Sequence, residues 1–150
     1  MATLASLQNL KSKNILVLGG SGYLGSAACE VFAELGASVI VSSRSKKNCE
    51  KVSNILSNKK DQIHSAIDCD ITKKDSVQNL CKFIKNKYKK INVMVICAWN
   101  GKKNSWDSMK QEDWDSEIEI CLNSNFRVIK LLQETLICNY FLCTKFIYLF

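Results

Sequence analysis

The sequence predicts an α/β fold, with a doubly wound parallel sheet carrying helices on both faces. Three observations predict it. Short apolar runs of strand length alternate with longer stretches of helical periodicity along most of the 150 residues. The first run ends on a glycine-rich turn, Gly19-Gly20-Ser21-Gly22, that leads directly into a helical pattern. No Pro/Ser-rich linker and no internal repeat interrupts the alternation. Alternation of this kind builds parallel strands, and right-handed crossovers place the helices on the two faces.

The elements follow in order. Asn14–Leu18 (NILVL) is an apolar run ending at glycine and reads as a buried strand. In Gly22–Leu35, Leu24, Ala27, Ala28, Val31, Phe32 and Leu35 recur at helical steps, and Gly36 is placed to end that helix. Ala37–Ser42 (ASVIVS) is the second strand. Ser45 is a candidate N-cap for a helix through Val52, Ile55 and Leu56. Ile63–Cys69 is the third strand, and Thr72 the expected N-cap of a helix carrying Val77, Leu80, Cys81, Ile84 and Tyr88 on one face. Ile91–Ala98 (INVMVICA) is apolar enough to be buried on both sides. A polar loop, Trp99–Lys110, leads to a long helix from about Gln111 to Leu136, with a stripe of Trp114, Ile118, Cys121, Leu122, Asn125, Val128, Ile129, Leu132 and Leu136.

The chemistry concentrates at strand ends. Leu18-Gly19-Gly20-Ser21-Gly22-Tyr23-Leu24-Gly25 follows a strand and opens a helix near the start of a βαβ unit. That context marks a dinucleotide-binding, Rossmann-like turn. Glycine permits the tight turn and lets the backbone approach a pyrophosphate, while the helix start offers free N–H groups and a positive dipole end. The second strand ends in Ser42-Ser43-Arg44. An NAD site usually carries an acidic residue there for the ribose hydroxyls. Arg44 instead suits a 2′-phosphate, with Ser43 donating a hydrogen bond, so NADP is favoured over NAD.

Composition excludes other classes. Apolar residues make up 47% and charged residues 23%, an ordinary globular balance. The net charge of +7 comes from lysine pairs scattered along the chain, not from a basic cluster interleaved with aromatics, so no nucleic-acid partner is expected. The eight cysteines form no Cys-x-x-Cys pair and there is one His, so no metal site is expected. Several cysteines fall at core-facing positions, where Cys acts as a small hydrophobe. Met1–Lys13 lacks an apolar run, so no secretory leader is expected, and a reducing, cytoplasmic setting fits.

From about Lys11 to Leu136 the sequence resembles the short-chain dehydrogenase/reductase family. Gly19, Gly22 and Gly25 match its Gly-x-x-Gly-x-x-Gly phosphate turn, with Leu18 where the family usually has Thr. Ser43-Arg44 matches its NADP-preferring members, and Cys69-Asp70-Ile71-Thr72 matches its Asp-Val-Thr segment. The resemblance implies that Asp70 binds the adenine amino group and that Ile71 lies along the ring. It makes Gly19, Ser21, Gly22, Tyr23, Leu24, Gly25, Ser43, Arg44, Asp70, Ile71, Cys97, Ala98 and Trp99 the expected cofactor-binding residues.

The match loosens further on. Ile96-Cys97-Ala98-Trp99 stands where the family reads Asn-Asn-Ala-Gly, keeping only the Ala. Trp99 either crowds the nicotinamide side or starts a substrate loop with Asn100, Lys102, Lys103 and Trp106. Cys121 occupies the position of the family's active-site Asn. Asn125, one turn later, is either a substitute or a polar group satisfied at a helix contact. The family's Ser and its Tyr-x-x-x-Lys, whose Tyr is the general acid/base, have no counterpart, because Tyr140 and Lys145 are five residues apart. No catalytic residue is therefore assigned.

Two segments are expected: residues 1–138, an NAD(P)-binding Rossmann segment incomplete on its C-terminal side, and an apolar tail, 139–150. The tail is either part of a fifth strand, with Thr144–Phe150 in the sheet, or a non-native end; it is too short to span a bilayer. The resemblance implies a truncated, inactive part of an oxidoreductase passing hydride between nicotinamide and a small carbonyl or alcohol substrate. The alternative is a non-catalytic dinucleotide-binding or dimerising module. The two lysines of the Trp99–Trp106 loop hint at a polar or anionic substrate such as a sugar derivative. Homo-oligomerisation is expected through the 111–136 helix, and membrane association is not.

Overall fold

A computed structural model describes residues 9–59, 61–99, 106–135 and 147–148. Strand β1 (Asn14–Leu18) is buried along its last four residues and stands at the centre of the sheet. Helix α1 (Tyr23–Glu34) follows, then β2 (Ser38–Ser43), α2 (Lys46–Ile55), β3 (Ser65–Asp68), α3 (Lys74–Lys87) and β4 (Val93–Ile96). A 3₁₀ turn, Trp106–Ser108, precedes α4 (Gln111–Ile118), a π-helical turn (Glu119–Asn123) and α5 (Ser124–Leu132). A short strand, β5 (Ile147–Tyr148), lies beside Val95–Ile96 of β4.

All strand pairs are parallel, in the order β3-β2-β1-β4-β5. The chain therefore winds outward from β1 to β3 and crosses back to β4 on the other side of β1. The β1/β4 boundary is a topological switch point, where the connections leave in opposite directions and open a crevice at the strand ends.

Side chains alternate across a strand, so each strand feeds two cores. Ile15, Val17, Val39, Val41 and Val95 pack with Cys29 and Ala33 of α1 and Cys49 of α2. Leu16, Leu18, Ile40, Met94 and Ile96 pack with Val77, Leu80 and Ile84 of α3 and Val128 and Leu132 of α5. The doubly wound arrangement is thus observed, and Cys29, Cys49, Cys69 and Cys81 are buried as expected of small hydrophobes. The ends of the first four strands lie within two residues of the sequence expectation, whereas the last helix ends at Leu132, four residues before the expected Leu136.

Three local expectations are corrected. The α1 stripe of Leu24, Ala27, Ala28 and Val31 does not face the sheet: Leu24 and Val31 are half exposed, and Gly25, Cys29 and Ala33 are buried instead. Burying those two larger side chains would contribute roughly 1.5–3 kcal/mol each. The small face is used because α1 must lie directly on the glycine turn. Thr72 does not cap α3. Its hydroxyl and backbone N–H are both taken by Asp70 Oδ1, and the helix begins at Lys74 after Lys73. The long helix is not one uniform stripe, since Trp114 and Leu122 are 47% and 62% exposed. Each helical residue advances about 100°. The residue added by the π turn therefore rotates the face of α4 out of phase with that of α5. Leu136, Tyr140 and Lys145 lie outside the described residues, as do Asn100, Lys102 and Lys103 of the loop after Trp99.

Candidate functional site at the β1/β4 switch point

The site begins with the turn between β1 and α1. Gly19 adopts φ +79°, a conformation that side-chain-bearing residues rarely hold. The N–H groups of Gly19 and Gly20 both donate to Ser42 O, at 2.7 and 3.0 Å, which locks the turn to the end of β2. A Cβ on Gly19 would stand 2.6 Å from Ala98 N, and one on Gly25 would overlap Gly19 O. Backbone therefore packs on backbone across β1, α1 and β4. Helix α1 starts after Gly22 with no side-chain cap and no acidic residue in its first turn. Its leading N–H groups and positive dipole end face the crevice.

Two clefts share this turn. The first, about 490 Å³, is lined by Gly19, Ser21, Gly22, Ser43, Arg44, Asp70, Ile71, Cys97, Ala98 and Trp99, among others. The second, about 650 Å³, is lined by Gly22, Tyr23, Leu24, Gly25, Ile96, Cys97, Ala98, Trp99, Glu117, Cys121 and Asn125. Every residue expected to bind cofactor is thus brought to one of two adjoining clefts. Cys97, Ala98 and Trp99 line both.

In the first cleft the Ser21 and Ser43 hydroxyls lie 2.6 Å apart, and Ser43 Oγ lies 3.0 Å from Cys49 Sγ. These contacts tie the glycine turn to the end of β2. Arg44 is exposed and makes no ion pair among the described residues, leaving its guanidinium open at the cleft mouth. Asp70 sits opposite. Burial pushes its carboxyl up, but hydrogen bonds from Thr72 and the charges of Lys73 and Arg44 outweigh this and hold it below its ordinary range. Asp70 Oδ2 lies 3.8 Å from Lys73 Nζ. Ile71 is 7% exposed and floors the cleft as part of the core. Arg127 of α5 donates to the carbonyls of Ile71 and Thr72 at 3.3 and 3.1 Å and pairs with Glu119 at 3.0 Å, so the loop is clamped to the helix.

In the second cleft Trp99 Nε1 donates to Glu117 Oε2 at 3.0 Å, and the Cys121 thiol points to the same oxygen at 3.8 Å. Asn125 is buried; its Nδ2 donates to Cys121 O at 2.6 Å, while its Oδ1 has no partner. The π turn lies at this wall, with Ser124 N–H donating to Glu119 O five residues back. The Glu119 carboxylate braces it through Asn123, Ser124 and Arg127. Burial pushes the Cys121 and Cys97 thiols up, aided at Cys121 by the Glu117 charge, and burial pushes Cys29 up to about 12. Thiols so raised stay protonated near neutral pH and are poor nucleophiles. No cluster of potential metal ligands occurs among the described residues.

The family model described as short chain dehydrogenase matches residues 13–139. The chain belongs to the short-chain dehydrogenase family. A 3-oxoacyl-(acyl-carrier-protein) reductase, FabG, from Thermotoga maritima is 27% identical over 128 residues, covering 85% of this chain and 52% of the relative. An NAD-dependent glycerol dehydrogenase from Listeria innocua is 26% identical, covering 86% of this chain and 49% of the relative. The solved hydroxysteroid dehydrogenase from Escherichia coli superposes with a TM-score of 0.74 at 25% identity, covering 85% of this chain and 54% of that one. The chain therefore spans about half the length of the curated relatives it matches.

Within this short-chain dehydrogenase frame, two residues at the site escaped sequence reading. Glu117 stands four residues before Cys121 on the same helix stripe, so a lone carboxylate on an otherwise apolar face was the available signal. Arg127 carried no local signal, because its partners Ile71 and Thr72 are more than fifty residues away.

Proposed function

We propose that this chain is the NADP(H)-binding portion of a short-chain dehydrogenase-type oxidoreductase acting on a carbonyl or alcohol substrate. The observation that carries the reading is the glycine turn seated under an uncapped helix start, beside the unpaired Arg44. The residues fit a dinucleotide phosphate. Gly19 and Gly25 have no room for a Cβ because the turn, the start of α1 and the end of β4 pack backbone on backbone, and that packing seats the helix start at the crevice. Tyr23, Leu24 and Gly25 bring the helix's leading N–H groups to the pyrophosphate over Gly22, whose own N–H donates to Gly19 O. Arg44 meets the 2′-phosphate, assisted by Ser21 and Ser43. Asp70 Oδ2, not engaged by Thr72, accepts from the adenine amino group over Ile71. The nicotinamide end then lies toward Cys97, Ala98 and Trp99. When bound, the cofactor supplies hydride exchange with the substrate carbon; this chain's residues bind and orient it.

The test is a fluorescence titration. Arg44→Ala is expected to weaken NADPH by at least about tenfold, the scale of a lost charge-assisted hydrogen bond. NADH should change by no more than about twofold. Equal losses refute the 2′-phosphate role, and the absence of saturable NADPH binding in the parent chain refutes the cofactor reading.

A second reading is a dinucleotide-binding or dimerising module without turnover. It is favoured by Leu122 and Phe126, which stand 62% and 67% exposed on the α4–α5 helix. A small-molecule substrate, a cytoplasmic setting and self-association through the α4–α5 helix belong to the same proposal. No described helix is long and apolar enough to cross a membrane.

A further inference from the structure

We propose that Glu117 makes the second cleft selective for a neutral, hydroxyl-bearing substrate and against one bearing a carboxylate. The inference deepens the oxidoreductase reading above and rests on it. Glu117 is the only charged side chain among the described residues lining this cleft. Trp99 and Cys121 both donate to its Oε2, which holds the carboxylate in place. Its Oε1 has no protein partner, and no cation pairs with it among the described residues.

The donors of this wall are spent inward. The Trp99 indole N–H and the Cys121 thiol are directed to Glu117, and the Asn125 amide N–H to Cys121 O. The acceptors are not: among the described residues Glu117 Oε1 has no partner, and neither has the buried Asn125 Oδ1, about two turns further along the helix. A wall with unspent acceptors and one negative charge matches hydroxyl groups, which donate. It opposes a carboxylate, which only accepts and carries the same sign. Leu24, Ile96 and Ala98 supply part of the apolar remainder of the lining. Sequence reading pointed instead to an anionic substrate, from lysines outside the described residues. Among the described residues lining this cleft the one charged side chain is negative.

The matched probes are 1,3-butanediol and 3-hydroxybutyrate, which share a carbon skeleton and differ in one terminal group. Each is titrated into the 150-residue chain saturated with NADP, following the Trp99 indole N–H resonance, assigned with Trp99→Phe. The diol is expected to bind at least about tenfold more tightly. Glu117→Gln, which keeps an acceptor for Trp99, is expected to narrow the difference to within about twofold. Equal binding, preference for the anion, no saturable shift with either probe, or an undiminished preference in Glu117→Gln overturns the proposal. If that variant does not fold, the parent chain decides by salt: a charge-based preference shrinks as ionic strength rises, and one that does not shrink overturns it. If NADP itself does not bind, the cofactor reading fails, while the same pair of titrations without NADP still tests Glu117.

Discussion

At Gly19 two independent demands meet on one residue. Its φ of +79° is strained for any other residue, and a Cβ there would strike the backbone between Cys97 and Ala98. The conformational part alone costs roughly 1–3 kcal/mol, and the backbone overlap adds to it because no flexible side chain can move aside. Gly19→Ala is expected to lower the urea midpoint by at least the conformational cost and to abolish NADPH binding, as measured by chemical denaturation and titration. Asp70 carries a pH dependence of defined sign. Its carboxyl is held low in the folded chain by Thr72, Lys73 and Arg44 despite partial burial. It therefore adds stability above the ordinary carboxyl pKa of about 4, and that stability is lost as pH falls through the lower folded value. The urea midpoint should fall on acidification, and less in Asp70→Asn than in the parent. Glu119 and Glu134, also held low, retain the remaining slope.

Among the elements, α1 and the α4–α5 helix show opposite solutions to packing. Helix α1 gives up apolar burial at Leu24 and Val31 so that Gly25, Cys29 and Ala33 can bring its start onto the phosphate turn. The α4–α5 helix buries Val128 and Leu132 but leaves Trp114, Leu122 and Phe126 at 47%, 62% and 67% exposure. Exposed large apolar side chains along one helix favour association. Light scattering is expected to show concentration-dependent self-association. Leu122→Ser with Phe126→Ser should shift it to higher concentration without changing the melting curve of dilute protein. Association unaffected by both substitutions would place the contact elsewhere.

For the molecule as a whole, the switch point gathers one crevice from the ends of β1, β2, β3 and β4, and burial pushes the Cys69 and Cys97 thiols lining it up. The 150 residues contain no Tyr-x-x-x-Lys, the pair whose Tyr is the family's general acid/base. The purified chain is expected to bind NADPH yet show no NADPH oxidation with ketone substrates above the rate without protein, followed at the cofactor's absorbance. Measurable turnover would mean that another residue supplies the proton.

The sequence alone determined the α/β alternation, the strand-turn-helix at Gly19–Gly25, Arg44 at the end of β2 and Asp70 after β3. These signals are local: apolar period, glycine spacing and the residue type at a strand end are all written within a few positions. It misjudged the buried face of α1, the cap of α3 and, over its described part, the unbroken stripe from Trp114 to Leu136, because each depends on a partner distant in sequence or on a change of helical phase. Only the tertiary structure joined Trp99 to Glu117, Arg127 to Ile71 and Thr72, and Ser21 to Ser43. Hydrogen bonds between segments depend on the relative placement of packed elements, and that placement is settled by two cores forming at once on opposite faces of the sheet.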